Sequence, residues 1–272
     1  SDQRIRFRRE KELAGYRDAL DYLFQNDPGE LSVGLVLHLH RLLFGRTGGA
    51  GGQFKSVDNL VVDRHADGTS SVRFVPTSQR DTPFFMSELV VRYRLEREGG
   101  RHHRALLVGL FALDFLTIHP FVDGNGRLCR LLSTRLLSEV GYGVGRYVSL
   151  EGLIYERRDA YYDALAASTA GWQDETHDPW PWLRFFVEVV ADAYETFAAR
   201  AADHRSGITK QDRVRNYVLN HAAASFEMAD VRRAVPGVSD QTVRLVLREL
   251  KDEGLVHPSG VGRGTKWVRA DR

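Results

Sequence analysis

The stretch Ala105 to Ile118 is apolar almost throughout and carries one charged residue, Asp114. A helix that is apolar on all sides must be enclosed by other parts of the chain. It is too short to span a bilayer, which needs roughly 20 apolar residues, so it reads as a buried central helix around which the rest is built. At 272 residues, 43% hydrophobic and 27% charged, the chain has enough length for one large core and a small second domain, and its composition does not suggest disorder. A formal charge of +2 is close to balance, which argues against a nucleic-acid wrapper and confines any basic face to one region. The single cysteine, Cys129, has no internal partner, and there is no charged-then-apolar signal segment at the N-terminus. Both fit a reducing, cytoplasmic setting. A chain that begins with Ser1 fits a fragment of a longer protein.

Apolar spacing predicts helices on both sides of the central one. Arg8 to Phe24 carries Leu13, Tyr16, Leu20 and Leu23 at helical intervals and stops at Asn26-Asp27-Pro28-Gly29. Leu31 to Phe44 follows, with Ser32 near its start, and the glycine-rich Gly45 to Gly52 is a loop. Leu60 to Val62 and Val72 to Val75 flank Asp67-Gly68, a hairpin signal; Leu60 to Val62 are expected to cover core. Thr82 to Arg97, Arg127 to Val140, Tyr155 to Ala167, and Trp180 to Ala191 continuing to Ala202 complete a mainly α domain with one hairpin, assigned to residues 1–205 with 1–30 as an N-terminal helical segment. Residues 206–272 form a second unit: helix Thr209 to Ala224, short helix Met228 to Val235, a Pro236-Gly237 turn, a Ser239-capped helix to Glu253, and two strand-like pieces around Gly260, Gly262 and Gly264. That order is the order of a winged helix-turn-helix.

The chemistry is concentrated between His119 and Arg130, in the order His-Pro-Phe-Val-Asp-Gly-Asn-Gly-Arg-Leu-Cys-Arg. Arg127 and Arg130 fall in the first turn of a helix, where the macrodipole disfavours cations and favours an anion. Spaced i, i+3, they share a face. Gly124-Asn125-Gly126 lets backbone N–H groups approach a ligand with no Cβ in the way. Together these residues make an anion cradle sized for a polyphosphate. Asp123 beside it suggests a bridging Mg²⁺ held by one carboxylate and phosphate oxygens. His119, at the end of the buried helix, has the resting pKa to accept a hydroxyl proton. A solitary His-Pro would read as a surface loop, and helix arginines alone would read as ion-pair partners; it is their combination that points to function. His38, His40, His102 and His103 lack a zinc-ligand spacing.

These twelve residues resemble the Fic signature H-x-F-x-D/E-G-N-G-R-x-x-R at all eight specified positions. Leu39-His40, Phe74-Val75-Pro76, Tyr161 to Leu165 and Pro179 to Leu183 look like flanking landmarks, so the resemblance covers roughly residues 10 to 200. It implies a Fic-type helical bundle with a β-hairpin flap, and a protein adenylyltransferase moving AMP from ATP to a Tyr, Thr or Ser hydroxyl of a target protein. In that reading His119 is the general base, Asp123 holds Mg²⁺, Gly124, Asn125 and Gly126 form the anion hole, and Arg127 and Arg130 grip the β- and γ-phosphates. Phe121 is a core anchor, Tyr161 and Tyr162 lie near the nucleotide or serve as packing residues, and Thr169 lies at the adenine. The flap edge Val72, Arg73 and Phe74 pairs with the target's backbone. Lys55 stands where the family pattern leads one to expect arginine.

Many Fic proteins are held inactive by a helix bearing S/T-x-x-x-E-G/N, whose glutamate pairs with the second motif arginine, here Arg130. No such pattern is found; Glu151-Gly152 has Tyr147 where Ser or Thr belongs. The expectation is an inhibitory helix missing from this chain or a separate inhibitory protein. Relatives that transfer UMP, phosphocholine or phosphate leave the choice of donor open, although the intact Gly124 to Gly126 turn argues against the phosphate-transferring variant. A DNA-binding regulator with a nucleotide-sensing Fic fold is the other reading; it would place Ser239, Gln241, Thr242 and Arg244 in the major groove and Arg263 and Lys266 on backbone phosphate. Residues 207–272 hold twelve Lys/Arg against eight Asp/Glu, a surplus compatible with DNA or protein contact.

Overall fold

The computed structural model describes residues 2–25, 28–49, 51–64, 69–205, 209–259 and 266–270. The Asp67-Gly68 turn, Asn26-Asp27, the wing glycines 260, 262 and 264, and Arg263 lie outside the described residues. The chain divides into two compact units, Ser1–Phe197 and Ala198–Arg272.

In the first unit, α1 (Asp2–Gln25) and α2 (Val33–Phe44) precede the antiparallel pair β1 (Val61–Arg64) and β2 (Ser70–Phe74). Then come α3 (Thr82–Gly99), α4 (Arg104–Ile118), α5 (Asn125–Glu139), α6 (Leu150–Glu156), α7 (Arg158–Thr169) and α8 (Trp180–Arg205), the last running on past Phe197. The Ser32 hydroxyl caps α2 by accepting from the Leu35 N–H at 3.2 Å, and Gly100 ends α3 in the left-handed conformation at φ 63°. The predicted helix from Tyr155 to Ala167 is in fact two helices, α6 and α7. Arg157 leaves helical geometry between them and donates to Glu188 and Asp192 of α8 at 2.6 and 2.7 Å.

The apolar run becomes α4, buried on all its faces and packed against α3, α5 and α7. Gly109 lets α8 come close: a Cβ there would lie 2.8 Å from a Leu183 methyl, and the Trp182 indole donates to the Gly109 carbonyl at 2.7 Å. Asp114, the one charge of the run, accepts from the Trp172 indole at 2.8 Å. This satisfies part of what a buried carboxylate requires.

The hairpin departs from expectation in one respect. Leu60 and Val62 do not cover core; they are 55% and 43% exposed. The ribbon meets the helices through Arg73 and Phe74 of β2, and the Leu60 and Val62 side chains stay open to solvent.

The second unit has its own core of Val214, Val218, Val231, Val243, Val246, Leu247 and Leu250. Its elements are α9 (Lys210–Asn220), β3 (Ser225–Phe226), α10 (Met228–Ala234), α11 (Asp240–Asp252), β4 (Val256–Ser259) and β5 (Lys266–Arg269). The three strands form an antiparallel sheet in the order β3-β5-β4. Helix α9 stops at Asn220, four residues before the expected Ala224, and β3 begins at Ser225. Among the described residues no helix is long and apolar enough to cross a membrane.

Candidate active site

The helix α4 ends at Ile118 and the segment His119–Gly124 after it has no regular structure, so the carbonyls from Ile118 onward need partners from elsewhere. They find them in the first sixty residues. The buried Lys55 donates its ammonium to Ile118 O at 3.3 Å and its backbone N–H to Pro120 O at 2.9 Å. Asn59 donates to Phe121 O at 3.2 Å. His40 accepts at Nδ1 from the Gly52 N–H at 2.9 Å, which leaves Nε2–H to donate to Asp123 O at 3.0 Å. The His40 ring also stacks on Phe121, centroids 3.7 Å apart. Gly124, at φ 84°, has no room for a side chain, since a Cβ would come within 2.7 Å of the Phe44 ring.

Asn125 completes the clamp from within. Its amide is 2% exposed, accepts from Phe121 N–H at 2.9 Å and donates to Phe121 O at 2.7 Å. The side chain is therefore committed to the loop, and what Asn125 can offer an anion is its backbone N–H. Phe121 is fully buried.

His119 itself adopts φ 51°, one of two described non-glycine residues at positive φ. Such a conformation is strained and calls for support from its surroundings. The imidazole Nδ1 lies 3.2 Å from Leu116 O; a carbonyl only accepts, so Nδ1 carries the proton and Nε2 keeps its lone pair. Burial pushes the imidazole pKa down to about 4, opposed by the bond to Leu116, with the Lys55 charge adding to the fall and Asp123 resisting it. Phe74 of β2 meets the ring edge-on at 5.9 Å.

At the start of α5, the N–H groups of Asn125, Gly126 and Arg127 precede the first intrahelical bond, Leu128 N–H to Gly124 O at 2.9 Å, so they are available to an anion. Arg127 lies 3.5 Å from both Asp123 and Glu12 and 5.3 Å above the Phe44 ring. Asp123 Oδ1 accepts from the Gly124 N–H at 2.6 Å while its side chain remains 55% exposed. Arg130 is paired, at 2.6 Å, with Glu151 of α6. In the sequence Glu151-Gly152 meets the inhibitory pattern only in part, with Tyr147 in the place of its Ser or Thr. The Tyr16 hydroxyl is pushed well above its ordinary pKa, by burial first and then by the Glu151 carboxylate.

Of the remaining predicted residues, Tyr161 is 7% exposed and packs among Trp182, Phe185 and Tyr162. Tyr162 is open, and the Arg73 guanidinium of β2 sits 4.0 Å over its ring. Thr169 donates back to Leu165 O at 2.9 Å near the end of α7. Val72 is 55% exposed on the hairpin. In the second unit, Gln241, Arg244 and Lys266 are exposed; the Ser239 hydroxyl caps α11 by accepting from Thr242 N–H at 3.2 Å and bonds the Thr242 hydroxyl at 2.9 Å.

Comparison with known proteins relates part of this chain to a family. Residues 30–137, less than half of the chain, match the Fic/DOC family. A protein adenylyltransferase Fic of Drosophila ananassae is 25% identical over 175 residues, 64% of this chain and 31% of that protein. Its counterpart in Drosophila virilis is 26% identical over 195 residues, 71% of this chain and 36% of that protein. The chain thus spans about a third of the length of these curated relatives. The crystal structure of a Fic family protein from Desulfovibrio desulfuricans G20 superposes with a TM-score of 0.58 at 21% identity, over 97% of this chain and 76% of that one, a likeness of fold.

The His119 environment generates a direct test. Its folded pKa lies below the ordinary value of 6.5, so the folded protein resists protonation and the unfolded chain does not. His119 therefore destabilises the fold as pH drops from about 6.5 towards 4. In an imidazole NMR titration, the resonance absent from His119→Ala should show the Nδ1–H form throughout neutral pH and a midpoint below 5; a midpoint near 6.5 would contradict the buried, carbonyl-tied ring.

Proposed function

We propose that the chain is a Fic-type transferase that moves AMP from ATP to a Tyr, Thr or Ser hydroxyl of a target protein. The observation that carries this reading is the fixed His119 tautomer, which keeps the Nε2 lone pair free on a ring that feels the Asp123 charge, six residues before the start of α5. Nε2 takes the hydroxyl proton as the oxygen attacks the α-phosphorus. The bond from that phosphorus to the bridging oxygen breaks, and pyrophosphate leaves. Backbone N–H groups at Asn125, Gly126 and Arg127 receive the developing negative charge, a contribution often worth ~3 kcal/mol per donor. Arg127 and Arg130 hold the β- and γ-phosphates, with Tyr162 and Thr169 towards the base and the buried Tyr161 behind Arg130.

Mg²⁺ fits the exposed carboxylate of Asp123. Among the described residues no three His, Cys, Asp or Glu side chains converge, so a metal here would take one protein carboxylate and complete its shell from phosphates and water, as Mg²⁺ does. When bound it would neutralise phosphate charge. The exposed Val72 and its neighbours Arg73 and Phe74 offer a strand edge to the target backbone. Curated relatives named protein adenylyltransferase Fic support AMP as the transferred group.

The second unit, in this proposal, is a winged helix whose α11 presents Gln241, Arg244 and Arg248 on one exposed face, with Lys266 on β5 and Arg263 beside it in sequence. Ser239 serves as the helix cap and Thr242 as its hydroxyl partner. A duplex is the proposed partner of that face, reached mainly through phosphates. In a fluorescence-anisotropy titration with duplex DNA, binding should weaken as salt rises and again in Arg244→Ala; salt-independent binding, or none, would assign the face to protein contact instead.

Incubation of the purified chain with Mg²⁺ and α-labelled ATP tests the main reading. Label should appear on the chain or its target and fall by about 10²-fold or more in His119→Ala, the usual scale for loss of a general base. Equal labelling in the variant, or label from γ-labelled ATP alone, would overturn it. The Arg130–Glu151 pair adds a second expectation. A carboxylate at 2.6 Å occupies the guanidinium that a phosphate would use, so Glu151→Gln should tighten ATP binding severalfold by calorimetry and raise labelling. Weaker binding in that variant would instead make Glu151 a support that aims Arg130.

A further inference from the structure

None of the residues from His119 to Arg130 lines the cavity of about 910 Å³ in the first unit. It lies between α3, α4, the chain leaving β2 at Val75 to Ser78, and the turn after α7 from Trp172 to His177. On α4 it is lined by Leu107, Leu110, Phe111 and Asp114, spaced as one helical face. Small-molecule sites have volumes of about 300–1,000 Å³, mostly apolar with a few placed polar groups.

Two features separate this cavity from a packing gap. Tyr93 and Thr77 are 4% and 7% exposed, and their hydroxyls have no hydrogen-bond partner in the protein; His177 Nδ1 is likewise buried without one. Buried polar atoms of this kind are normally satisfied, and three on one cavity ask for a partner from outside the chain. The second feature is sign. Five carboxylates, those of Asp58, Asp81, Glu96, Asp114 and Glu175, line the space with Arg92 and His177 as its basic side chains, and Glu96 is already paired with Arg101 at 3.0 Å. Burial pushes the Asp114 carboxyl above its ordinary pKa, opposed by the Trp172 bond and by the charges of Arg92 and His177. One of its oxygens accepts from Trp172, which leaves the other for a ligand. Phe85 and Trp172, ring centroids 5.8 Å apart, provide an aromatic wall, and such faces attract cations as well as flat apolar groups.

We propose that this cavity is a second ligand site, built for a small organic cation of the aryl- or alkylammonium class. Its ammonium group pairs with Asp114 and donates to the Tyr93 and Thr77 hydroxyls, and its apolar body rests on Phe85 and Trp172. The site adjoins the root of the hairpin: Gln173, on its rim, donates to Val75 O at 3.2 Å, one residue beyond the Phe74 that touches His119. An occupant would therefore brace the strand that enters the motif site. Binding itself does not depend on the transferase reading.

The test uses the full chain and three probes of matched shape: 2-phenylethylammonium, 2-phenylethanol and 3-phenylpropanoate, titrated by calorimetry and by saturation-transfer NMR. The cation should bind measurably and the alcohol about tenfold more weakly, as expected when one charge-assisted hydrogen bond is lost; the carboxylate should not bind. Asp114→Asn, which keeps the acceptor for Trp172, should weaken the cation about tenfold, and Tyr93→Phe by a smaller factor. Leu110→Trp, filling the space, should remove binding. Equal binding of the three probes, no binding of the cation, or cation affinity unchanged in Asp114→Asn would each overturn the proposal and leave the cavity to water. Because the charge preference is read on the unaltered protein, a variant that fails to fold does not spoil the test.

Discussion

The motif site depends on one constraint: the carbonyl groups of a six-residue irregular loop must be satisfied where water is largely excluded. Lys55 bonds the Ile118 and Pro120 carbonyls, Asn59 and Asn125 share that of Phe121, and His40 takes that of Asp123. Each bond contributes only about 1 kcal/mol net, but each carbonyl left orphaned would cost about 1–3 kcal/mol. The clamp therefore allows His119 to remain at positive φ, a conformation that an L-residue would otherwise avoid at a cost of about 1–2 kcal/mol. Imidazole placement is a consequence of backbone satisfaction more than of any contact the ring makes.

Electrostatics follows from that arrangement. Helix α5 presents a positive end with Arg127 in its first turn, Arg130 in its second, and no acidic residue in the first, an unfavourable local sum. Glu12 and Glu151 come from distant elements to offset it. Lys55 contributes to both layers, since the ammonium that holds Ile118 O also lowers the His119 pKa. Its own burial brings it down to about 8. A lysine in a purely structural bond is thus also part of what keeps the base unprotonated.

What could be read in the sequence was local. The bounds of α4 follow from an apolar run closed by His-Pro, and the signature His119 to Arg130 is contiguous, so its chemistry could be argued residue by residue. The start of α5 was placed two residues late because its cap is a left-handed glycine rather than a Ser or Thr hydroxyl. The break at Arg157 was hidden because its cause, two carboxylates on α8, lies 31 and 35 residues away. His40 offered only a weak signal, a histidine on an apolar helix. Glu151 offered less, since no serine or threonine stands at Tyr147 to complete the expected pattern. Leu60 and Val62 failed for another reason: an apolar run promises burial only where other elements pack over those side chains.

The sequence separation of the clamp carries a consequence for how the molecule is made. His40 and Asp123 are 83 residues apart, Lys55 and Ile118 are 63, and Asn59 and Phe121 are 62. Contacts of that range are expensive in loop entropy and tend to form after local helices. The motif helix can therefore exist on a partly folded or nascent chain while the loop before it is still unclamped. Competence of the site becomes a late event in folding, closed only when the first sixty residues have docked on the central helix.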